Sequence, residues 1–255
     1  MTRALTMEIL FPEIGNLHGD NFNITYLAQC RPDARVIRTG LTDTPAFASG
    51  DVDLVYLGPL TEQGQLKAIE RLAPHKARIE ALIDAGTAFL FTHNALEVLG
   101  TRIRNDEMGY DVPGLGIFEF ESTLRMFGRY NGKVMGTVDA VGTDHPVLGY
   151  KSQFSMVTGG DSLPGFMTAD RGIGRNTSTA VEGVCRNNFI GTSLIGPLLV
   201  VNPHLTRALL AQLDPDSEPR LAHEEFAIAA YDARLADFRD DRRWHAFERV
   251  RATGR

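Results

Sequence analysis

Residues 87–100 restrict the fold of this chain more than any other stretch of its sequence. An apolar run of strand length ends at a polar break, residues 92–94, and a short amphipathic run typical of a helix start follows at once. In open α/β sheets such a turn holds one side chain above the carboxyl end of a strand, where nucleophiles and anion sites are built. We call residues 92–94 the elbow, and the side chain that it holds is His93.

The first hundred residues alternate between strand and helix patterns. Strands are predicted at 4–11, 34–39, 52–57 and 87–91, and helices at 23–30 and 61–85, the second interrupted near Pro74. The segment between the first strand and the first helix is rich in Gly, Asn and Asp and predicts a surface loop. Alternation of this kind predicts a mainly parallel sheet flanked by helices.

The pattern changes after Gly100. Residues 101–111 are polar and predict a loop, and short β-branched or alternating runs then predict antiparallel strands at 120–127, 133–141, 150–157, 180–185 and 189–194. Residues 186–188 predict a hairpin turn, because Asn tolerates a positive φ. A helix is predicted at 203–213, with Asn202 as its N-cap.

A proline-bearing polar connector, residues 214–220, precedes a charged helical pattern at 221–250. We therefore divide the chain into an α/β domain, residues 1–213, and a linker with a C-terminal helical extension, residues 214–255. An isolated helix needs an apolar surface to be stable, so this helix is expected to pack on its own domain, and docking on a partner is the alternative.

Composition excludes several classes of protein. The chain has 255 residues, 43% of them apolar and 23% charged, which indicates a globular fold. Its net charge of −6 offers no basic field, so nucleic acid is not an expected partner. No apolar run approaches the length of a membrane helix and no secretory signal pattern is visible, so we expect no membrane insertion and a cytoplasmic location. Cys30 and Cys185 lack metal-type spacing, and we expect both to be reduced and structural.

Five short strings resemble, in the same order, those of class I glutamine amidotransferases of the cobyric-acid-synthase type, including the small GatD-like subunits. They are LFP at 10–12 with Asn16, Gly19, Asp20 and Asn23; LG at 57–58 with the glutamine-rich segment after it; GLGI at 114–117; GTSLIGPLL at 191–199; and NPHL at 202–205. The resemblance covers roughly residues 10–205. It implies a flavodoxin-like three-layer α/β sandwich and a pocket at the elbow, for which the candidate residues are Asn16, His18, Asp20, Gly58, Leu60, His93, Asn94 and Glu97.

The family's reaction needs a thiolate on the elbow, activated by a histidine, to attack the side-chain amide of glutamine. By resemblance, the thiolate position falls on His93 and the position of the histidine falls on Ile195. A further family string, G-[FY]-E-N-H, falls on residues 149–153, whose sequence is GYKSQ. Because nucleophile and base are both replaced, we expect no glutaminase activity, no cofactor and no catalytic residue at these positions.

Three hypotheses follow from the sequence. The first is a non-catalytic subunit that partners a Mur-ligase-like or other ATP-dependent amide-forming enzyme, as the resemblance implies. The second is a retooled enzyme in which His93, His18 and Asp20 form a metal or acid–base site, although their spacing matches no recognised metal motif. The third is a glutaminase with a displaced nucleophile. We expect the first, with no metal bound.

Overall fold

The computed structural model describes residues 4–138, 141–244 and 246–247, which contain fifteen strands. In chain order they are β1 (Thr6–Leu10), β2 (Arg35–Thr39), β3 (Leu54–Leu57), β4 (Ala88–Thr92), β5 (Arg102–Asn105), β6 (Tyr110–Pro113), β7 (Phe120–Leu124), β8 (Tyr130–Thr137), β9 (Val147–Gln153), β10 (Ser155–Gly159), β11 (Met167–Arg171), β12 (Val181–Glu182), β13 (Val184–Arg186), β14 (Phe189–Thr192) and β15 (Ala246–Phe247). The α-helices are α1 (Phe22–Cys30), α2 (Glu62–Leu72), α3 (Lys76–Asp84), α4 (Leu198–Val201), α5 (Pro203–Leu213) and α6 (Glu224–Arg239).

The central sheet has the strand order β13-β14-β4-β3-β1-β2, and every pair in it is parallel except β13 with β14. Strand side chains alternate between two cores, because successive residues of a strand point to opposite faces. On β4, Phe89 and Phe91 join the core beneath α2 and α3, whereas Ala88 and Leu90 join the core beneath α1, α4 and α5. This is the three-layer α/β fold that the sequence predicts.

The second half of the chain forms two smaller sheets. One has the order β10-β7-β5-β6, and in the other β8 pairs with β9, β11 and β15. The first of these is not purely antiparallel, because β5 and β7 run parallel.

Several sequence predictions for this half are wrong. Residues 101–111 are not a loop: Ile103 points inward from β5 while its arginine neighbours face outward, so a half-buried strand looks polar. The single strand predicted at 150–157 is two, β9 and β10, which belong to different sheets. Strand β11 was not predicted, and β14 lies in the central sheet rather than in an antiparallel one.

Asn202 occupies the N-cap position of α5 without capping it. Its Oδ1 accepts from the Leu148 amide at 2.8 Å, and its Nδ2 donates to the carbonyls of Leu148 and Leu198, both at 2.8 Å. The side chain therefore joins β9 to α4 instead of capping the start of α5. The hairpin turn is as predicted: Asn187 has φ 51° between β13 and β14.

Helix α6 packs on its own chain. Tyr231 and Phe238 are buried against Met135 of β8 and Leu148 of β9, and Trp244 packs beside them. In the helical pattern predicted at 221–250, residues 245 and 248–250 lie outside the described residues. Residues 139 and 140 of the predicted strand 133–141 also lie outside them. The division of the chain at residue 213 stays a prediction. Within the described residues, no helix is both long and apolar enough to cross a membrane.

Candidate functional site

The elbow is a sharp turn between β4 and a seven-residue 3₁₀-helix, His93–Leu99. His93 has φ 56°, in the left-handed region. This conformation costs an ordinary L-residue about 1–2 kcal/mol, so the surrounding structure has to hold it. The predicted strand, turn and helix are all present, but the helix is a short 3₁₀ segment.

Of the two ring nitrogens of His93, one is hydrogen-bonded and the other is buried. Nε2 lies 3.0 Å from the Ser152 carbonyl, and because a carbonyl can only accept, Nε2 carries the proton. Nδ1 is buried and has no hydrogen-bond partner among the described residues. Burial lowers the pKa of His93, and the Ser152 hydrogen bond only partly opposes this. The imidazole is therefore held neutral, in one tautomer.

A cavity of about 310 Å³ opens beside the elbow. Five of the residues that the sequence suggests line it: His18, Leu60, His93, Asn94 and Glu97. The rings of His18 and His93 meet edge to face with their centroids 5.9 Å apart. His18 is exposed and also has a positive φ, 66°. The loop after β1 thus reaches the elbow, as expected from its place at the carboxyl end of a strand.

Asn94 fastens the loop after β3 to the elbow. Its Oδ1 accepts from the Leu60 amide and its Nδ2 donates to the Leu60 carbonyl, both at 2.9 Å. Gly58, in the same loop, is not among the lining residues. A Cβ on Gly58 would stand 2.4 Å from the Gly15 carbonyl oxygen, so this glycine is needed for the close approach of two backbones.

Glu97 is a buried carboxyl in the wall of the cavity. One of its oxygens accepts from the Ser155 hydroxyl, and the other lies 3.1 Å from Gln65 Nε2. Burial raises the pKa of Glu97 to about 7, against the effect of these two donors. Glu97 therefore exchanges a proton near neutral pH.

Asp20 and Asn16 do not line the cavity. Asp20 is fully buried, its Oδ1 accepts from the Gly196 amide at 3.3 Å, and its Oδ2 has no partner among the described residues. Burial raises the pKa of Asp20 to about 7. Asn16 Oδ1 accepts from the Asn21 amide at 2.9 Å and so closes a turn of the loop. The structure thus brings His18 to His93 but leaves Asp20 apart from them, and nowhere in the described part of the chain do three or more His, Cys, Asp or Glu side chains cluster in a way that would hold a metal.

Ile195 lies on a short bridge to β9, where its amide donates to the Tyr150 carbonyl at 2.9 Å. The next residue of β9, Lys151, is fully buried, and its Nζ lies 3.4 Å from the equally buried Glu182 Oε1. The same Glu182 oxygen accepts from the amide and hydroxyl of Ser193, each at 2.9 Å. A buried ion pair therefore fastens β9, including the Ser152 carbonyl that holds His93, to the segment that leads to Ile195.

Neither cysteine is near the elbow cavity. Cys30 and Cys185 are both free and buried, and neither lines the cavity. Burial raises the pKa of each thiol, so neither is held as a thiolate.

Sequence reasoning missed eight of the thirteen described residues that line the cavity. Residues that it did not single out are Leu17, Thr61, Glu62, Leu124, Arg129, Ser152, Phe154 and Ser155. Most of them come from β7 to β10, and their approach depends on how the small sheets fold over the elbow. Arg129 stacks on Phe154 with its guanidinium carbon 4.3 Å from the ring centroid, and its charge helps burial to lower the pKa of His18. A local signal for Thr61 was present, because Thr caps α2 by accepting from the Gly64 amide.

Comparison with known proteins agrees with this architecture. The chain is 27% identical over 201 residues to the GatD subunit of lipid II isoglutaminyl synthase (glutamine-hydrolyzing) from Staphylococcus aureus, an alignment that covers 76% of this chain and 78% of GatD. No protein-family model matches.

Among solved structures, the chain is similar to PurLQS from Thermotoga maritima, with a TM-score of 0.55, 13% identity, and coverage of 84% of this chain and 100% of the other. It is also similar to a glutamine amidotransferase from Thermotoga maritima, with a TM-score of 0.52, 10% identity, and coverage of 83% and 98%. The chain therefore has a glutamine amidotransferase-like α/β fold, and its sequence is similar to that of GatD.

Proposed function

We propose that this chain is a glutamine amidotransferase-like subunit without glutaminase activity, which acts as a non-catalytic or regulatory partner of a Mur-ligase-like or other ATP-dependent amide-forming enzyme. The observation that carries the proposal is that the imidazole of His93 on the elbow presents no reactive nitrogen to the cavity. Nε2 of His93 is committed to the Ser152 carbonyl and Nδ1 is buried, so neither nitrogen is free to attack a substrate in the cavity.

The surroundings of His93 support the same conclusion. Acyl transfer needs a nucleophile with a base beside it. The position that resembles the family's base is Ile195, whose side chain cannot accept a proton. Among the described residues, the other imidazole that lines the cavity is that of His18, and partial desolvation and the charge of Arg129 lower its pKa, which weakens it as a base. The buried thiols of Cys30 and Cys185 offer no replacement.

A role as a subunit rests on the similarity to GatD, which is itself a subunit of a synthase. The elbow has the positive φ at His93, the cavity beside it and the Asn94 hydrogen bonds to Leu60, although one imidazole nitrogen is hydrogen-bonded and the other is buried. Retention of this scaffold is reasonable if the surfaces around it dock another protein. Fold alone does not carry function, so the partner has to be tested directly.

Two measurements test the proposal. The purified protein is incubated with glutamine, alone and with a co-expressed Mur-ligase-like protein from the same genome, and glutamate release is followed. We expect no release above the background of the His93→Ala variant, and a stable complex with the partner by size-exclusion chromatography. Glutamate release that thiol alkylation or His93→Ala abolishes would refute the loss of activity. A chain that never associates with the Mur-ligase-like protein would refute the role as its subunit.

A matched gain-of-function variant probes the scaffold. His93→Cys combined with Ile195→His restores a thiol and an imidazole at the two positions. If the elbow geometry is retained, this double variant should hydrolyse glutamine faster than either single variant. Equal, undetectable rates in all three would mean that the cavity no longer accepts glutamine.

A further inference from the structure

A second cavity, of about 340 Å³, lies on the outward face of the sheet formed by β10, β7, β5 and β6. Its lining residues are Thr123, Arg125, Gly128, Tyr130, Phe154, Met156, Thr158, Asn176, Thr177 and Ser178. Phe154 lines both this cavity and the elbow cavity. We call it the sheet-face cavity.

Strand register builds its floor. Met156 of β10 stands opposite Thr123 of β7, and both point outward, because Ser155 and Val157 on either side of Met156 are buried on the other face. One wall is a short segment that is fixed to the edge of β10. Asn176 Nδ2 donates to the Val157 carbonyl at 2.8 Å, and Asn176 Oδ1 accepts from the Ser178 amide at 2.8 Å. Strand pairing therefore fixes the floor of the cavity, and the Asn176 hydrogen bonds fix this wall.

Several polar side chains of this cavity have no partner among the described residues. Five side-chain hydroxyls that line it make no hydrogen bond to another described residue: those of Thr123, Tyr130, Thr158, Thr177 and Ser178. The Arg125 guanidinium forms no ion pair with a described carboxylate, and the same is true of Arg104, which stands opposite Thr123 on β5. None of the described residues that line the cavity is acidic, although the chain as a whole carries a net charge of −6.

Aromatic rings complete the lining. Tyr130 and Phe154 both border the cavity, and Arg129 stacks on the Phe154 ring at 4.3 Å, which restricts its orientation. An aromatic face packs well against the C–H face of a pyranose or other polyol, and a ring that is already held loses little freedom when it does so.

We propose that the sheet-face cavity binds a small hydroxylated anion, of the class of sugar phosphates and sugar acids. The Arg125 fork matches a phosphate or carboxylate group. The free hydroxyls exchange hydrogen bonds with ligand hydroxyls, since each can donate and accept. The volume is at the lower end of the range for small-molecule sites, which fits a single sugar unit. This site is separate from the elbow and goes beyond the proposed function, so either can fail without the other.

Calorimetry and ligand-observed NMR with the full chain test the proposal. Glucose 6-phosphate and gluconate serve as the phosphate and carboxylate probes, and glucose and inorganic phosphate as the two partial ligands. At least one of the two anionic sugars should bind saturably, and more tightly than either partial ligand. Arg125→Gln should weaken that binding about tenfold and Thr123→Val about threefold.

Arg102→Gln is the matched control. Arg102 lies on β5 of the same sheet, does not line the cavity, and pairs with Asp111 at 3.2 Å, so its loss should change binding less than about twofold. Circular dichroism and thermal melting confirm that each variant is folded. Absence of saturable binding of both anionic sugars at millimolar concentration would overturn the proposal, as would binding that survives Arg125→Gln. If inorganic phosphate binds as tightly as glucose 6-phosphate, the cavity hydroxyls do not contribute to binding. If glucose binds as tightly as glucose 6-phosphate, Arg125 does not recognise an anion. Either result would overturn the proposal.

Discussion

The Glu97→Gln substitution should make the stability of this protein less sensitive to pH. Glu97 is buried in the wall of the elbow cavity and accepts from Ser155 and Gln65. Glutamine has the same shape and keeps both contacts, because its oxygen accepts from Gln65 and its nitrogen donates to the Ser155 hydroxyl. The substitution therefore removes the ionisation of the side chain and leaves the packing in place.

The magnitude follows from the pKa of Glu97, which burial raises from 4.5 to about 7. Because the folded value is the higher one, the folded state binds the proton more tightly than the unfolded state. The associated stability is fully present below pH 4.5 and is lost as the pH rises to about 7. At about 1.4 kcal/mol for each tenfold change in proton affinity, the wild type loses about 3 kcal/mol over this window, and about 2–3 kcal/mol of it between pH 5 and 8.

Urea unfolding at several pH values between about 5 and 8 measures this loss. The difference in the free energy of unfolding between Glu97→Gln and the wild type should grow in favour of the variant by about 2–3 kcal/mol as the pH rises. Asp20 has a pKa raised in the same direction and contributes a slope that both proteins share. Glu70→Gln, on the exposed side of α2, is the control and should follow the wild type. A difference between Glu97→Gln and the wild type that does not change with pH would refute the assignment of Glu97 as a proton-binding group.

Three further substitutions test other features by denaturant unfolding. Gly58→Ala should cost about 1–3 kcal/mol, because its Cβ would stand 2.4 Å from the Gly15 carbonyl oxygen; an unchanged midpoint would show that the two loops can separate. Lys151→Met should cost about 3–5 kcal/mol because it removes the buried partner of Glu182, and an unchanged midpoint would mean that this ion pair does not stabilise the fold. Tyr231→Phe removes the hydrogen bond from α6 to the backbone carbonyl just before β9 and should cost about 1 kcal/mol, and no loss would mean that water replaces this contact.

The parallel half of the fold could be predicted because its signals are local. On β4 an uninterrupted apolar run is buried on both faces, and the polar break after it marks the elbow to within one residue. The antiparallel half could not be predicted in the same way. Arg102 and Arg104 flank the buried Ile103, so β5 has the composition of a loop, and only its pairing with β6 and β7 explains it.

The residues of the candidate site fall into the same two groups, those that local sequence signals predict and those that depend on the small sheets. His18 and Leu60 lie in loops, and Asn94 and Glu97 in a 3₁₀-helix, that follow the carboxyl ends of parallel strands, where topology alone brings them to His93. Ser152 and Phe154 reach it from the small sheets, and no local pattern predicts that approach. Of the three residues considered for a metal or acid–base site, the structure brings His18 but not Asp20 to His93. The positive φ of His18 turns the loop so that His18 faces the elbow while Asp20 is buried at the Gly196 amide.

The packing of α6 has a consequence for the order in which this chain can fold. Tyr231, Phe238 and Trp244 provide the aromatic side chains of the core that covers one face of β8 and β9, yet they follow those strands by about eighty residues or more in the chain. Closing so long a loop is slow, and the face of the two strands stays uncovered until it is closed. During synthesis, this face of the sheet is therefore open to association with other chains until α6 has been made. Helix α6 thus covers this face late in folding. A mutation that weakens its packing is therefore expected to reduce the yield of folded protein without changing either cavity.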